Sequence, residues 1–501
     1  MESPGAAASS IGKPASVPGT ERTERGAETR FTVGYGTGVL RLHDTASGLV
    51  RPLELRDQGR VAMYVCGPTV YDVPHIGHGR FVLAFDVLRR YLEFVGLAVD
   101  YVSNVTDIDD KIIARSIAER RPASEVAEEY EAVWWDAIDA LGVARPTHTP
   151  HATAYVEPMV AMVAELVGAG SAYETSDGVY LSVEQVRGYG LLKRQSLESL
   201  RAGERVEPGE EKRFPLDFAL WKKAKPGEPT WESPWGPGRP GWHTECVAMS
   251  LDLLGEGFDL HGGGIDLVFP HHENERAQAV ALGRDFARHW AHCGHLKVGG
   301  EKMSKSLGNI SSLRDLLERT DGRAYRLLLL QSHYRSPVEV TADTIADAEA
   351  ALGRLDSLAR RFSLDSSLAG VKLDAARAVG ADPGSLDLFV RHMDDDLDTP
   401  AATAEMFELV RRANALADGG DEEGARNLAT TVAILGGAVG LGLCGGEAEI
   451  DEGAAALVVQ REAARSAGEW AKADVIREQL RAAGWVVEDG PDGTRVRRGP
   501  R

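Results

Sequence analysis

Cysteine is scarce in this chain: Cys66, Cys246, Cys293 and Cys444 are the only four among 501 residues. So few, so far apart, do not make a disulfide framework, and no two of them form a CxxC pair. Long apolar runs are missing as well. No stretch approaches the ~20 residues needed to cross a bilayer. The first thirty positions lack the apolar core of a secretory signal; they are rich in Ala, Ser, Gly, Pro, Glu and Arg, which predicts a disordered tail over 1–38 and a cytoplasmic protein. Nor is there an excess of positive charge, the net charge being −20. That balance argues against nucleic-acid binding by gross electrostatics, though a folded protein can still segregate a local basic surface. Internal repeats are absent. What remains, 43% hydrophobic and 26% charged residues, is ordinary for a soluble globular chain of several domains.

The patterned segments begin with Val61–Cys66, a short Val-rich run broken by Gly67-Pro68. A helical pattern follows, with Phe81, Ala84, Phe85, Leu88, Tyr91, Leu92 and Val95 at three- and four-residue spacing. Gly96 ends it, and Ala98–Val105 reads as a second strand. Strand, helix and strand at this length form a βαβ unit, which implies a parallel sheet. Residues of about 150–240 hold short pieces, with a Gly- and charge-rich stretch and a Pro/Gly/Trp-rich run, and read as an insertion. The sheet pattern is expected to resume near Trp242. From about 343 the pattern is helical, with Ile345, Ala348, Leu352, Leu355, Ala359 and Phe362 on one face. Asp382-Pro383-Gly384 and Thr399-Pro400 punctuate a bundle. A helix over 457–483 ends at Gly484, followed by a strand-like Trp485-Val486-Val487 and a basic tail (Arg495, Arg497, Arg498, Arg501).

Two motifs carry chemistry. His75-Ile76-Gly77-His78 stands just before the first helix, where imidazoles and the positive end of the helix dipole suit phosphate oxygens and Gly77 permits close backbone approach. Alone, it could equally be a pair of surface histidines. Lys302-Met303-Ser304-Lys305-Ser306 follows much later in a Gly-rich context, its lysines suited to charge on a leaving pyrophosphate. Alone, that run is as well explained as a solvated basic turn. Together, in this order and with the first inside a βαβ unit, they are the two signatures of class I aminoacyl-tRNA synthetases. A third constellation is metal-like. His271 and Glu275, four apart, share a helix face, and with Cys66 and Cys246 they offer two sulfurs, a nitrogen and an oxygen for a four-coordinate zinc. The same residues are also compatible with two buried free thiols and a surface helix.

Further blocks make the resemblance specific: Tyr64–Asp72, Asn104–Lys111, Pro215–Lys222, Gly241–Cys246, His261–Glu275 and Lys302–Asn309. Across residues 39–340 they resemble cysteinyl-tRNA synthetases in content and order, and Ala473–Arg477 through Glu488–Gly490 resembles that family's end. The resemblance implies an α/β fold. A Rossmann-type parallel-sheet catalytic domain would span 39–340, with an insertion at about 150–240 and a KMSKS junction at about 290–340. A helical bundle would follow at 341–448, and a small anticodon-contacting domain at 449–501. It implies one Zn²⁺ on Cys66, Cys246, His271 and Glu275, with the substrate thiolate as a further ligand. Cys66, Thr106 and Trp242 would meet the substrate cysteine. His75, Gly77, His78, His261, Gly262, Gly263, Gly264, Asp266 and Lys305 would hold ATP, and His75, His78, Lys302 and Lys305 would be catalytic. Mg²⁺ would arrive with ATP, and the partners would be L-cysteine, ATP and tRNA(Cys), with no membrane, on a monomer.

Two other readings share parts of this pattern: a cysteine ligase with an amino-sugar acceptor, of the mycothiol type, and a non-catalytic tRNA-binding paralogue. The helices after 343 separate the first from a tRNA ligase, and the intact signatures separate the second. Thr244, Val247 and Val496 depart from the family pattern; Val496 stands where an aromatic residue is common. Gly34, Gly36 and Gly38 read as linker, Trp134-Trp135 as packing, Cys293 and Cys444 as structural thiols, and Asp394–Asp396 as solvated or capping.

Overall fold

The computed structural model describes residues 20–25, 28–35, 38–201, 211–298, 301–302, 312–443, 452–483, 485–490 and 493–498. Its centre is a sheet of four parallel strands in the order His289–Cys293, Leu260–Gly264, Arg60–Val65, Ala98–Val102. Val61 through Val65 are all buried, as the continuous apolar run requires of a strand covered on both faces. The helix Ile76–Phe94 buries Phe85, Leu88, Tyr91 and Leu92 and stops where Gly96 turns to φ +96°. The second strand ends at Val102, three residues before the expected Val105.

From Arg60–Val65 the chain crosses to Ala98–Val102 on one side. From Leu260–Gly264 it crosses through the helix Glu273–Ala281 to His289–Cys293 on the other. The two connections diverge, so a crevice opens at the carboxyl ends of the two central strands, the place where open α/β sheets bind ligands. Cys66 is the first residue past one of those ends.

The sheet does not resume near Trp242. Trp242–Leu254 is a helix capped by Gly241, and its residues 244–250 are all buried. A helix sunk in the core is apolar nearly all round and shows no clear period, which is why it resembled a strand. Between the halves of the parallel sheet, Ala172–Glu174, Gly178–Leu181, Phe218–Lys223 and Gly238–Pro240 form an antiparallel sheet of their own.

Four bundle helices follow: Ala342–Arg361, Pro383–Asp394, Thr399–Asp418 and Glu422–Ala438. Thr341, Asp382, Asp398 and Asp421 cap them. The expected face from Ile345 to Phe362 is buried. In the Asp394–Asp396 run the two outer carboxylates are buried and only Asp395 is solvated. Asp394 accepts from the Tyr91 hydroxyl, and Asp396 accepts from the His43 N–H, the Tyr334 hydroxyl and Arg335. A left-handed backbone at Asp396 (φ +58°) turns its carboxylate inward.

At the C-terminal end the single helix expected over 457–483 is two, Glu452–Ser466 and Trp470–Ala482, parted at Gly468 (φ +73°). Arg495, Arg497 and Arg498 belong to the strand Gly493–Arg498, paired with Trp485–Gly490, rather than to a tail. Val496 packs inward with Trp485, Ile476 and Leu480. Gly484, Arg501 and Cys444 lie outside the described residues.

The N-terminal stretch expected to be disordered contains strands Thr20–Arg25 and Glu28–Tyr35, paired antiparallel, and the second also meets Glu54–Leu55. Thr29, Phe31, Thr32, Val33 and Tyr35 favour a pleated strand, a local signal that overall composition hides. Gly34 and Gly38 are paired strand residues instead of linker; Gly36 lies outside the described residues. No helix among the described residues is long and apolar enough to cross a membrane.

Candidate metal centre and active-site cleft

Four elements deliver the metal-like set. Cys66 ends the central strand, Cys246 lies in the first turns of the helix Trp242–Leu254, His271 precedes the helix Glu273–Ala281, and Glu275 lies in its first turn. Their donor atoms all fall within 4.8 Å of one another. Cys66 Sγ is 3.6 Å from Cys246 Sγ and 3.3 Å from Glu275 Oε1. His271 Nε2 is 3.7 Å from Cys246 Sγ and 2.8 Å from Glu275 Oε1. Zinc bonds of ~2.0–2.3 Å in a tetrahedron place neighbouring donors roughly 3.3–3.8 Å apart, so these residues fit a zinc ion after small adjustments.

Electrostatics agree with such a set. Burial pushes the Glu275 carboxyl up, but His261 and His271 outweigh it and hold that carboxyl well below the usual range. Burial depresses His271, yet Glu275 and Cys246 raise it to about 10. Burial also opposes the Cys246 thiolate, but hydrogen bonds from Cys66 and His271 bring the thiol down to about 6. Burial and the Cys246 charge push Cys66 up. A zinc ion bound there would replace the protons that Cys66 and His271 otherwise keep, since both ligate in deprotonated form.

The groups around the donors orient them. His271 presents Nε2 inward because its Nδ1 meets His243 Nδ1 at 2.8 Å. Glu275 keeps Oε2 on His261 Nε2 at 2.5 Å. A second grouping, Cys66, His261, His272 and Glu275, also converges. His261 there stacks on Trp290 and His272 bonds His292, behind the first set and away from the crevice. The first set opens on the crevice through Cys66 and through Trp242, whose ring stacks 4.1 Å from that of His271.

The crevice is a cleft of about 1340 Å³. Cys66, His75, Gly77, His78, Trp242, Gly264 and Asp266 line it, so residues from four separated motifs meet there. His75 begins the helix, and its N–H donates to His78 Nδ1 at 3.2 Å while the two rings stack at 3.7 Å. That contact fixes the His78 ring at the helix start, beside the ring of His75. Gly67 lets the wall close: a Cβ there would lie 1.7 Å from the Asn104 carbonyl oxygen. Gly262 faces the Phe85 ring, where a Cβ would come to 2.3 Å, and Gly263 faces His272.

Not every expected residue reaches the cleft. His261 is fully buried and meets Glu275 rather than the cleft surface. Gly262 and Gly263 are buried. Thr106 is 1% exposed, its hydroxyl donating to Glu245 Oε2 at 2.6 Å and accepting from Asn104 Nδ2. Lys302 ends the short strand Glu301–Lys302, paired with Leu296–Val298. Lys305, with Met303, Ser304 and Ser306, lies outside the described residues. Sequence reasoning assigned no role to His243 or Glu245. His243 is three residues before Cys246 on one helix, a same-face spacing that could have marked it. Burial and the Cys246 thiolate push the Glu245 carboxyl well up.

A parallel sheet with a phosphate-friendly helix start on one side of its crevice and a lysine-bearing hairpin following its last strand defines a class I aminoacyl-tRNA synthetase. Comparison with known proteins agrees. Residues 52–350 match the tRNA synthetases class I (C) catalytic domain, 388–443 a DALR domain, and 447–497 the cysteinyl-tRNA ligase anticodon binding domain. A Mycobacterium tuberculosis methionyl-tRNA synthetase in complex with methionyl-adenylate shares the fold at TM-score 0.54 and 18% identity, over 76% of this chain and 89% of that one. The cysteine–tRNA ligase of Alkalilimnicola ehrlichii is 46% identical over 472 residues, 92% of this chain and all of that one. That of Halorhodospira halophila is 44% identical over 473 residues, again 92% and 100%. The chain belongs to the cysteine–tRNA ligases.

Proposed function

We propose that the cleft activates L-cysteine with ATP, as cysteinyl-adenylate, and passes the cysteinyl group to the 3′ end of tRNA(Cys). The observation that carries this reading is the convergence of Cys66, Cys246, His271 and Glu275 at the wall of a class I cleft. These four residues hold one zinc ion. When bound, zinc supplies a soft Lewis acid that prefers a thiolate to a hydroxyl.

The chain's own groups do the rest. Trp242 closes the metal side of the cleft, excluding water from the amino-acid pocket, and the Thr106–Glu245–Asn104 hydrogen bonds fix the wall behind it. His78 and the start of the helix Ile76–Phe94 hold ATP oxygens, with Gly77 allowing close approach. Gly264 and Asp266 border the nucleotide. Lys302 and Lys305 neutralise charge growing on pyrophosphate as the cysteine carboxylate attacks the α-phosphorus. Mg²⁺ enters with ATP. Serine is rejected because a site built around a bond only sulfur makes well discriminates strongly between near-isosteres. The reading takes the chain as a cytoplasmic monomer of three working parts: a catalytic domain, a helical bundle and an anticodon-contacting end.

Attachment of labelled cysteine to tRNA by the purified protein, with serine as control, tests the proposal. Charging with cysteine alone supports it. Cysteine-dependent ATP–pyrophosphate exchange without tRNA charging would move the acceptor to an amino sugar. Neither activity would leave a tRNA-binding paralogue.

A further inference from the structure

Arg80 follows the His75–His78 motif by two positions on the same helix and is 4% exposed. A guanidinium buried so deeply ordinarily meets a carboxylate. Here, among the described residues, it donates to three main-chain carbonyls: those of His295 and Ser336 in short bonds, and that of Tyr334 at 3.1 Å. The carbonyls come from two segments far apart in sequence. His295 precedes the strand Leu296–Val298, and Tyr334–Ser336 precedes Val338–Glu339; these strands pair in parallel, and Leu296–Val298 also pairs with Glu301–Lys302. Gly294 tightens the same joint. Its N–H donates to the Tyr334 carbonyl at 2.8 Å, and a Cβ there would come 2.4 Å from the Arg335 carbonyl oxygen.

One planar fork therefore ties the helix that carries the first signature to the small sheet that leads into the second. Gly294 and His295 also form part of the cleft wall, whereas Arg80 does not reach it. We propose that Arg80 is a positioning residue for adenylate formation: it sets the Lys302 strand relative to the phosphate end of the cleft without touching ATP. This rests on the assignment of His75–His78 and Lys302 to ATP. Lysine cannot replace it, because an ammonium lacks the in-plane fork that reaches three carbonyls at once. A shift of about 1 Å in such a support costs roughly 10²-fold in rate. Transfer to tRNA releases no pyrophosphate, so it does not depend on the Lys302 strand in the same way.

The test uses full-length Arg80→Lys. Four quantities are measured: cysteine-dependent ATP–pyrophosphate exchange, single-turnover transfer from enzyme-bound cysteinyl-adenylate to tRNA, bound zinc, and Tm. The expected result is a kcat for exchange about 10²-fold lower, with cysteine KM, zinc content and transfer rate within a few-fold of the parent. Unchanged exchange overturns the proposal. So does an equal loss in exchange and transfer accompanied by lower zinc or Tm, which would mark a purely structural arginine. If Arg80→Lys does not fold, Gly294→Ala, which presses on the same joint from the other side, is read by the same split and the same criteria. Lys302→Ala is run in parallel; intact exchange there would remove the assignment beneath the proposal, a failure distinct from that of Arg80 itself.

Discussion

The metal side of the cleft and its phosphate side are assembled in different ways. On the metal side the donors come from three stretches of chain around 66, 246 and 271–275, and they are 3% exposed or less. Half-buried His243 holds His271, and buried His261 holds Glu275. On the phosphate side His75, Gly77 and His78 lie within one helical turn and stay half-buried, facing Asp266, which is exposed. Under the proposed function, the difference follows from what each side would handle. Telling a thiol from a hydroxyl needs fixed donors shielded from water, since a loose site would adapt to either. A triphosphate enters hydrated with its own cation and leaves as pyrophosphate, so its side must stay open.

The largest expected effect breaks the metal side. Cys246→Ser removes one sulfur from the set; bound zinc should fall below stoichiometric and cysteine-dependent exchange should drop by roughly 10³-fold or more, while ATP binding persists. Metal analysis alongside exchange kinetics checks it. On the phosphate side His78→Ala should lower exchange by about 10²-fold and leave zinc in place, so the two variants part on metal content rather than on activity. His243→Ala tests whether the supporting shell matters as its geometry implies. Without its bond, His271 is free to turn, and zinc affinity should weaken about 10–100-fold, measured by competition with a chelator.

The smallest effect sharpens the comparison by leaving the cleft altogether. Asp394 is a carboxylate buried for packing, raised by burial from its ordinary value near 3.8 to about 6 despite the Tyr91 hydrogen bond. Its folded value lies above its unfolded one, so ionisation opposes folding: the penalty is absent below about pH 4, grows as pH rises, and is complete above pH 6. Asp394→Asn keeps an acceptor for Tyr91 and should gain about 2 kcal/mol at pH 7 but nothing at pH 4. Chemical denaturation at the two pH values decides it. A gain of the same size at pH 4 would mean that the charge was not the cause.

Much of the site was legible in the residues because its chemistry is carried by types and spacings that few other tasks require. Cys66 at a strand end, and the break at Gly67-Pro68 just after it, could be read from the run Tyr64–Asp72. The histidines were the weak point. Seen in sequence, His261 stands in a glycine run and invites a phosphate role, whereas in space it faces Glu275 across 2.5 Å. Burial decided that, and burial depends on which distant segments pack above a residue. The helix Trp242–Leu254 was misread for the same reason, since a segment covered on every side carries no period.

By itself, then, the sequence determined the family, the βαβ start of the sheet and the two signature motifs, and it pointed to Cys66, Cys246, His271 and Glu275 as a candidate donor set that the fold brings together, since each rests on local pattern or residue type. Tertiary structure alone decided that Trp242 stacks on His271 at the cleft, that His243 and His261 lie against His271 and Glu275, that Val496 packs inward, and that Arg80 bonds main-chain carbonyls of two other segments. Those outcomes turn on directions and distances between segments that meet only in the folded chain, which a local pattern does not encode.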